Sequence, residues 1–194
     1  MTDRLKAGRP IASVILLLAW LAATGGSAGA SLAPSTDEMK AQFVYNFIRF
    51  VDWPAGAFAD ESEALRVTVI GGDPFNGWLD RTLAGKVINK RHIVVSRALE
   101  PPVAPLPHVA VIARSQDARL AAVLATYCRA PVLTLSDIDR FANRGGVIGL
   151  VVDGDVVHFG VNRTAAEEAR LRVPAQLLYL AVPLFSSISP CRSQ

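Results

Sequence analysis

The sequence predicts a single α/β domain: a largely parallel sheet with helices on both faces, three layers in all, and an antiparallel C-terminal hairpin. Three observations carry this. Apolar runs of strand length alternate with stretches of helical spacing between Leu65 and Leu135. Some of these runs, Val109 to Ala113 above all, are apolar at every position, as strands covered on both faces are. Near the end, Asp153-Gly154 separates two β-branched runs, Val147 to Val152 and Asp155 to Val161, and that pattern marks a hairpin with a type I′ turn.

In chain order, residues 1–30 read as a secretory leader. Arg4, Lys6 and Arg9 are basic, Ile11 to Ala23 is apolar, and Ala28-Gly29-Ala30 offers a small-residue cleavage site before Ser31. An apolar core of about 13 residues is short of the roughly 20 that span a bilayer, so cleavage is expected rather than anchoring. No cysteine follows the site, which argues against a lipid anchor. Residues 31–194 then form the exported domain, with an ordered core at about 36–185, not itself membrane-spanning. Of the 20 Lys and Arg, 17 remain after cleavage, and of the 17 Asp and Glu, 16 remain. A net charge near +1 gives no electrostatic case for nucleic acid or an anionic membrane.

Ser35 and Glu38 have the spacing of a capping box, and a helix follows until Pro54. Met39, Phe43, Phe47, Phe50 and Val51 fall on one face, widened by Val44 and Ile48. Leu65 to Ile70 is a strand ending at Gly71-Gly72, Phe75 to Leu83 a helix, and Val87 to Val95 a strand with polar interruptions at Asn89, Lys90 and Arg91. Val103 to Pro107 is loop. The strand Val109 to Ala113 follows, then a helix from Ala118 to Tyr127 and a strand from Val132 to Leu135. Ser136 or Asp137 caps a short helix through Phe141. After the hairpin, Asn162 is an N-cap with Glu167 and Glu168 early in its helix. Pro174 restarts a helix, and Ala175 to Leu184 is apolar on nearly every face, which predicts core for most of it and a homodimer seam otherwise.

Candidate chemistry is sparse. Gly71, Gly72 and Phe75 stand between strand and helix, where a phosphate loop would lie, but the glycine spacing fits no nucleotide motif and Pro74 removes an amide. His92, His108 and His158 have no second His or Cys nearby, so each reads as a satisfied, partly buried histidine rather than a metal ligand. Asp153-Gly154-Asp155 is explained by turn chemistry, not calcium. Neither a metal nor a cofactor is expected. Cys128 and Cys191 are either bridged, tying the tail to the middle of the domain, or two separate thiols. Arg163, Glu167, Arg170 and Arg172 surround Leu171 and Val173: a solvated helix face, or a charged rim around an apolar partner patch.

Two stretches resemble the YfiR-type periplasmic domain. The first is Val44-Tyr45-Asn46-Phe47 followed by Phe50-Val51-Asp52-Trp53-Pro54. The second comprises Gly145-Gly146, Asn162, Ala165-Ala166, Leu171 and Gln176-Leu177-Leu178-Tyr179-Leu180-Ala181. The resemblance covers nearly all of residues 31–194. It implies a periplasmic regulator without enzymatic activity. Its partner would be an inner-membrane diguanylate cyclase or another membrane signalling protein, and repression would control cyclic di-GMP. A partner patch at Arg163, Glu167, Arg170, Leu171 and Val173 follows from joining that role to the charged rim. The rival expectation is a periplasmic small-ligand sensor feeding a histidine kinase or a transporter. Its site would lie at Gly71, Gly72, Phe75 and Ser136, at the carboxyl ends of the strands. An envelope hydrolase is a third, for which no local motif speaks.

Overall fold

A computed structural model of the protein describes residues 34–184 and 187–191; the leader and its cleavage site lie outside the described residues. The chain runs α1 (Thr36–Phe50), β1 (Leu65–Ile70), α2 (Trp78–Leu83), β2 (Val87–Ile88), β3 (Arg91–Ala98) and β4 (Val109–Ile112). A 3₁₀ turn (Arg114–Arg119) leads into α3 (Leu120–Thr126), β5 (Leu133–Ser136), β6 (Ile148–Asp153), β7 (Val156–Val161), α4 (Arg163–Glu168) and α5 (Ala175–Leu180).

Seven strands form one sheet in the order β2-β3-β1-β4-β5-β6-β7. Pairing is parallel from β3 through β6 and antiparallel at the two edges, β2 on β3 and β7 on β6. Counted by themselves, the parallel strands have the doubly wound order 2-1-3-4-5. The direction of winding therefore reverses between β1 and β4. The predicted three-layer α/β architecture is what forms.

Alternation along the strands sorts side chains to two cores. Val67, Val69, Val109, Val111, Leu133 and Leu135 face the layer that holds α1, α2, α4 and α5. Ile70, Ala110, Ile112 and Val132 face α3 and the Phe141 turn. An aromatic cluster ties α1 to β7, with Phe47 and Phe159 edge to face at 4.9 Å and Phe43 beside both. Gly146 is required where the chain passes the second core, since a Cβ there would lie inside the Phe141 ring.

Several expectations need correction. The strand from Val87 to Val95 is instead a hairpin: Val87 pairs with His92 and Ile88 with Arg91, around Asn89 and Lys90 at φ 49° and 67°. Positive φ at both centre positions is type I′ geometry, and it is the source of the polar interruption. In the β6–β7 hairpin Asp153 pairs with Val156, so the centre is Gly154-Asp155 and Gly154 alone takes positive φ. Ser35 Oγ accepts from the Glu38 amide and caps α1. The buried face of α1, however, is Lys40, Ala41, Val44, Phe47 and Ile48, and Phe50 is exposed. Residues 138–144 form turns rather than a short helix.

The largest correction concerns the C-terminal helix. It ends at Leu180, and Val182 then donates its amide to Phe159 O beside β7. Of α5 only Leu177 is buried, while Tyr179 is 89% and Leu180 67% exposed. Six residues laid on the domain surface bury one face, so apolarity on every side leaves the other face in water.

Candidate functional site

Four of the five predicted partner residues border one groove. It has a volume of about 240 Å³ and is bounded by Arg163, Ala166 and Glu167 of α4, Leu171, Arg172 and Val173 of the linker, and Leu178 of α5. Asn162 sets the start of α4, its Oδ1 accepting from the Ala165 amide at 3.0 Å. Arg170 then takes φ 55°, the left-handed turn that ends the helix. That turn sends its guanidinium towards Arg129 O, so Arg170 does not join the groove. Leu171 is 5% exposed and belongs to the main core; it is the groove's floor, not an accessible contact. Arg172 and Asp52 exchange both backbone hydrogen bonds at 3.0 Å, which fixes the rim to the end of α1. The groove is thus an apolar floor between two arginines and a glutamate.

The tail is fastened behind α4. Cys128 and Cys191 form a disulfide, with Cα atoms 5.4 Å apart, which decides between bridge and separate thiols and leaves no thiol for nucleophilic chemistry. Ser189 Oγ shares its hydrogen-bonding reach between the two Glu168 oxygens at 2.6 and 2.7 Å. Asn162 Nδ2 donates to Ile188 O and to Ala142 O. One cap residue therefore joins α4, the Phe141 turn and the tail.

The four residues of the predicted ligand site are placed less favourably. Phe75 is wholly buried in the main core. Ser136 is wholly buried and satisfied, donating to Ile112 O at 2.7 Å and accepting from the Ile138 amide at 3.0 Å. Gly71 sits at φ 95°, where a Cβ would strike Ser115 Oγ. Gly72 lines a cleft with Asp73, Pro74, Arg114, Ser115 and Asp137. Asp73 is a turn residue, accepting from the Phe75 and Gly77 amides at 3.0 and 2.6 Å.

A family model described as YfiR/HmsC-like matches residues 37–182. The chain belongs to the YfiR/HmsC-like family. Membership sets the coarse class, a family of periplasmic signalling regulators rather than of catalysts. No match was found among curated proteins.

In this YfiR/HmsC-like domain the histidines do structural work or face solvent. No group of three or more His, Cys, Asp or Glu side chains is placed to hold a metal among the described residues. His92 and His158 are exposed, contrary to the expectation of partial burial. His108 is buried, stacked on Phe58 at 4.1 Å between ring centroids. Its Nδ1 accepts from the Arg66 amide at 3.0 Å, and its Nε2 donates to Ala57 O at 3.1 Å. It closes one side of the strap from Trp53 to Glu63. That strap also walls a cleft of about 530 Å³ at the amino end of β1. Arg91 in that cleft is already committed, donating to Asp60 O and Glu63 O and lying 3.9 Å over Phe58.

Burial, and then the positive charge of Arg66, lower the His108 pKa from 6.5 to about 4. Between those values the unfolded chain binds more protons than the folded one. Stability is therefore present above about pH 6.5 and is lost as pH falls towards 4, by about 3 kcal/mol in full. Urea midpoints from pH 7 to pH 4.5 should fall steeply in the native protein and less steeply in His108→Gln. Equal slopes would show that another group carries the acid sensitivity.

Sequence reasoning missed the buried pair beside the Gly72 cleft. Lys40 Nζ lies 2.8 Å from Asp137 Oδ2 and 3.3 Å from Asp37 Oδ1. Arg114 Nε approaches the same Asp137 oxygen at 3.2 Å. The one available signal was a lysine on the apolar side of α1, close to Phe43, Val44 and Phe47.

Proposed function

We propose that this domain is a non-enzymatic periplasmic regulator that binds and represses a membrane-bound diguanylate cyclase, and so controls cyclic di-GMP signalling. Family membership supports the class, and the α4–α5 groove is the observation that carries the docking surface. An apolar floor within a charged rim is the anatomy of a partner site, and Tyr179 and Leu180 on α5 extend apolar surface into solvent. Repression is a population shift: the regulator binds the inactive conformation of its partner better than the active one.

Capture of solubilised envelope proteins on the tagged protein, identified by mass spectrometry, tests it. A membrane protein with a cyclase output domain should be recovered. Reversing both rim charges, Arg163→Glu with Arg172→Glu, is expected to lower that recovery about tenfold with the unfolding midpoint unchanged. Leu171→Glu should instead unfold the domain, because it puts a carboxylate in the core. Recovery of the cyclase unchanged by the rim substitutions would place docking elsewhere.

A further inference from the structure

The cleft at Gly72 lies where the winding of the sheet reverses, outside the carboxyl ends of β1 and β4. In open doubly wound sheets that crevice is where ligands bind. Its volume is about 280 Å³, at the lower limit for small-molecule sites.

Three side chains give it a chemistry. Asp137 lines the cleft with its side chain 3% exposed, and its charge is held on one oxygen: Oδ2 serves both Lys40 and Arg114. Asp137 Oδ1 is buried and has no hydrogen-bond partner among the described residues. A buried carboxylate oxygen without a donor is costly, so a donor entering the cleft is strongly favoured. Arg114 is two-thirds exposed, and only its Nε is engaged, which leaves the two Nη groups as a planar fork. Ser115 Oγ accepts from the Gly72 amide at 3.3 Å and keeps its own proton to donate. Arg114 and Lys40 balance Asp37 and Asp137, while Asp73, which also lines the cleft, faces Arg97 at 3.7 Å.

We propose that this cleft binds a small carboxylate carrying a hydroxyl or ammonium group on the neighbouring carbon, an α-hydroxy or α-amino acid of a few carbons. The ligand carboxylate sits on the Arg114 fork and the Ser115 hydroxyl, a bidentate pairing that guanidinium favours. The ligand hydroxyl or ammonium donates to Asp137 Oδ1. Arg114, exposed as it is, shifts from covering Asp137 to gripping the ligand. The volume admits glycolate, lactate, glycine or serine and excludes large aromatic side chains. This site is separate from the α4–α5 groove, so it stands or falls independently of the cyclase partner.

The test is calorimetric titration and thermal unfolding of the purified protein with glycolate, L-serine, acetate and ethanolamine at up to tens of millimolar. Glycolate or L-serine should bind and raise the midpoint by mass action. Acetate, without the neighbouring donor, and ethanolamine, without the carboxylate, should not. Asp137→Asn tests the acceptor directly but disturbs the Lys40 pair. Arg114→Gln is therefore the deciding variant: it should fold with an unchanged midpoint and bind glycolate at least about tenfold more weakly. The proposal is overturned if acetate equals glycolate, if Arg114→Gln binds as the native protein does, or if none of the probes binds.

Discussion

Cys128→Ser is expected to lower the stability of the domain by about 4 kcal/mol and to weaken capture of the proposed membrane partner. The bridge closes a loop with a sequence separation of 63 residues. Releasing a loop of that length from the unfolded chain costs roughly 4 kcal/mol of stability on the chain-entropy account. For a domain of this size that is a fall in midpoint of roughly 8–16 °C. The link to docking runs through α4. The tail beside Cys191 meets Glu168 through Ser189 and meets the Asn162 cap through Ile188. Both contacts lie on the helix whose Arg163 and Glu167 rim the groove. A loosened tail therefore frees the element that shapes the proposed docking groove. Both cysteines are half-buried, within reach of reductant. Thermal unfolding and envelope capture with native protein, reduced native protein and Cys128→Ser should place the last two together below the first. Equal stability and equal capture in oxidising and reducing buffer would show that the bridge supports neither the fold nor capture.

What was legible in the sequence follows from the range of each interaction. The strands and most helices were legible because periodicity is local: Val109 to Ile112 shows its burial on both faces in four letters. The polar interruption at Asn89-Lys90 was visible, but its meaning as a turn was hidden because lysine rarely accepts positive φ. The groove was legible as a charged strip, but the strip could not say that Leu171 points inward and Arg170 away. Those directions are set by the helix end at φ 55° and by packing from other segments. The exposed face of α5 was illegible for a different reason. Hydropathy records a preference for leaving water and does not say whether the cover is this domain or another molecule.

Lys40→Met is expected to destabilise the domain by about 3–5 kcal/mol, the cost of stranding a buried carboxylate. The two partners are 97 residues apart in sequence and 2.8 Å apart in the fold, both almost fully buried. Lys40 also meets Asp37 at 3.3 Å and lies 5.8 Å from the centroid of the Phe75 ring, so its ammonium is held from three sides. Arg114 does not replace it. Its Nε reaches the same oxygen at 3.2 Å, but its side chain is 67% exposed and water screens its charge. The pair itself need not be stabilising, because removing two charges from water costs nearly what their attraction returns. Lys40→Met combined with Asp137→Leu should therefore recover most of the loss. Urea unfolding of the native protein, both single variants and the double closes the cycle. A Lys40→Met protein within about half a kcal/mol of native would show that Arg114 suffices as counter-charge. A double variant no better than the singles would show that the ion pair, and not merely its balance of charge, holds α1 against the carboxyl end of β5.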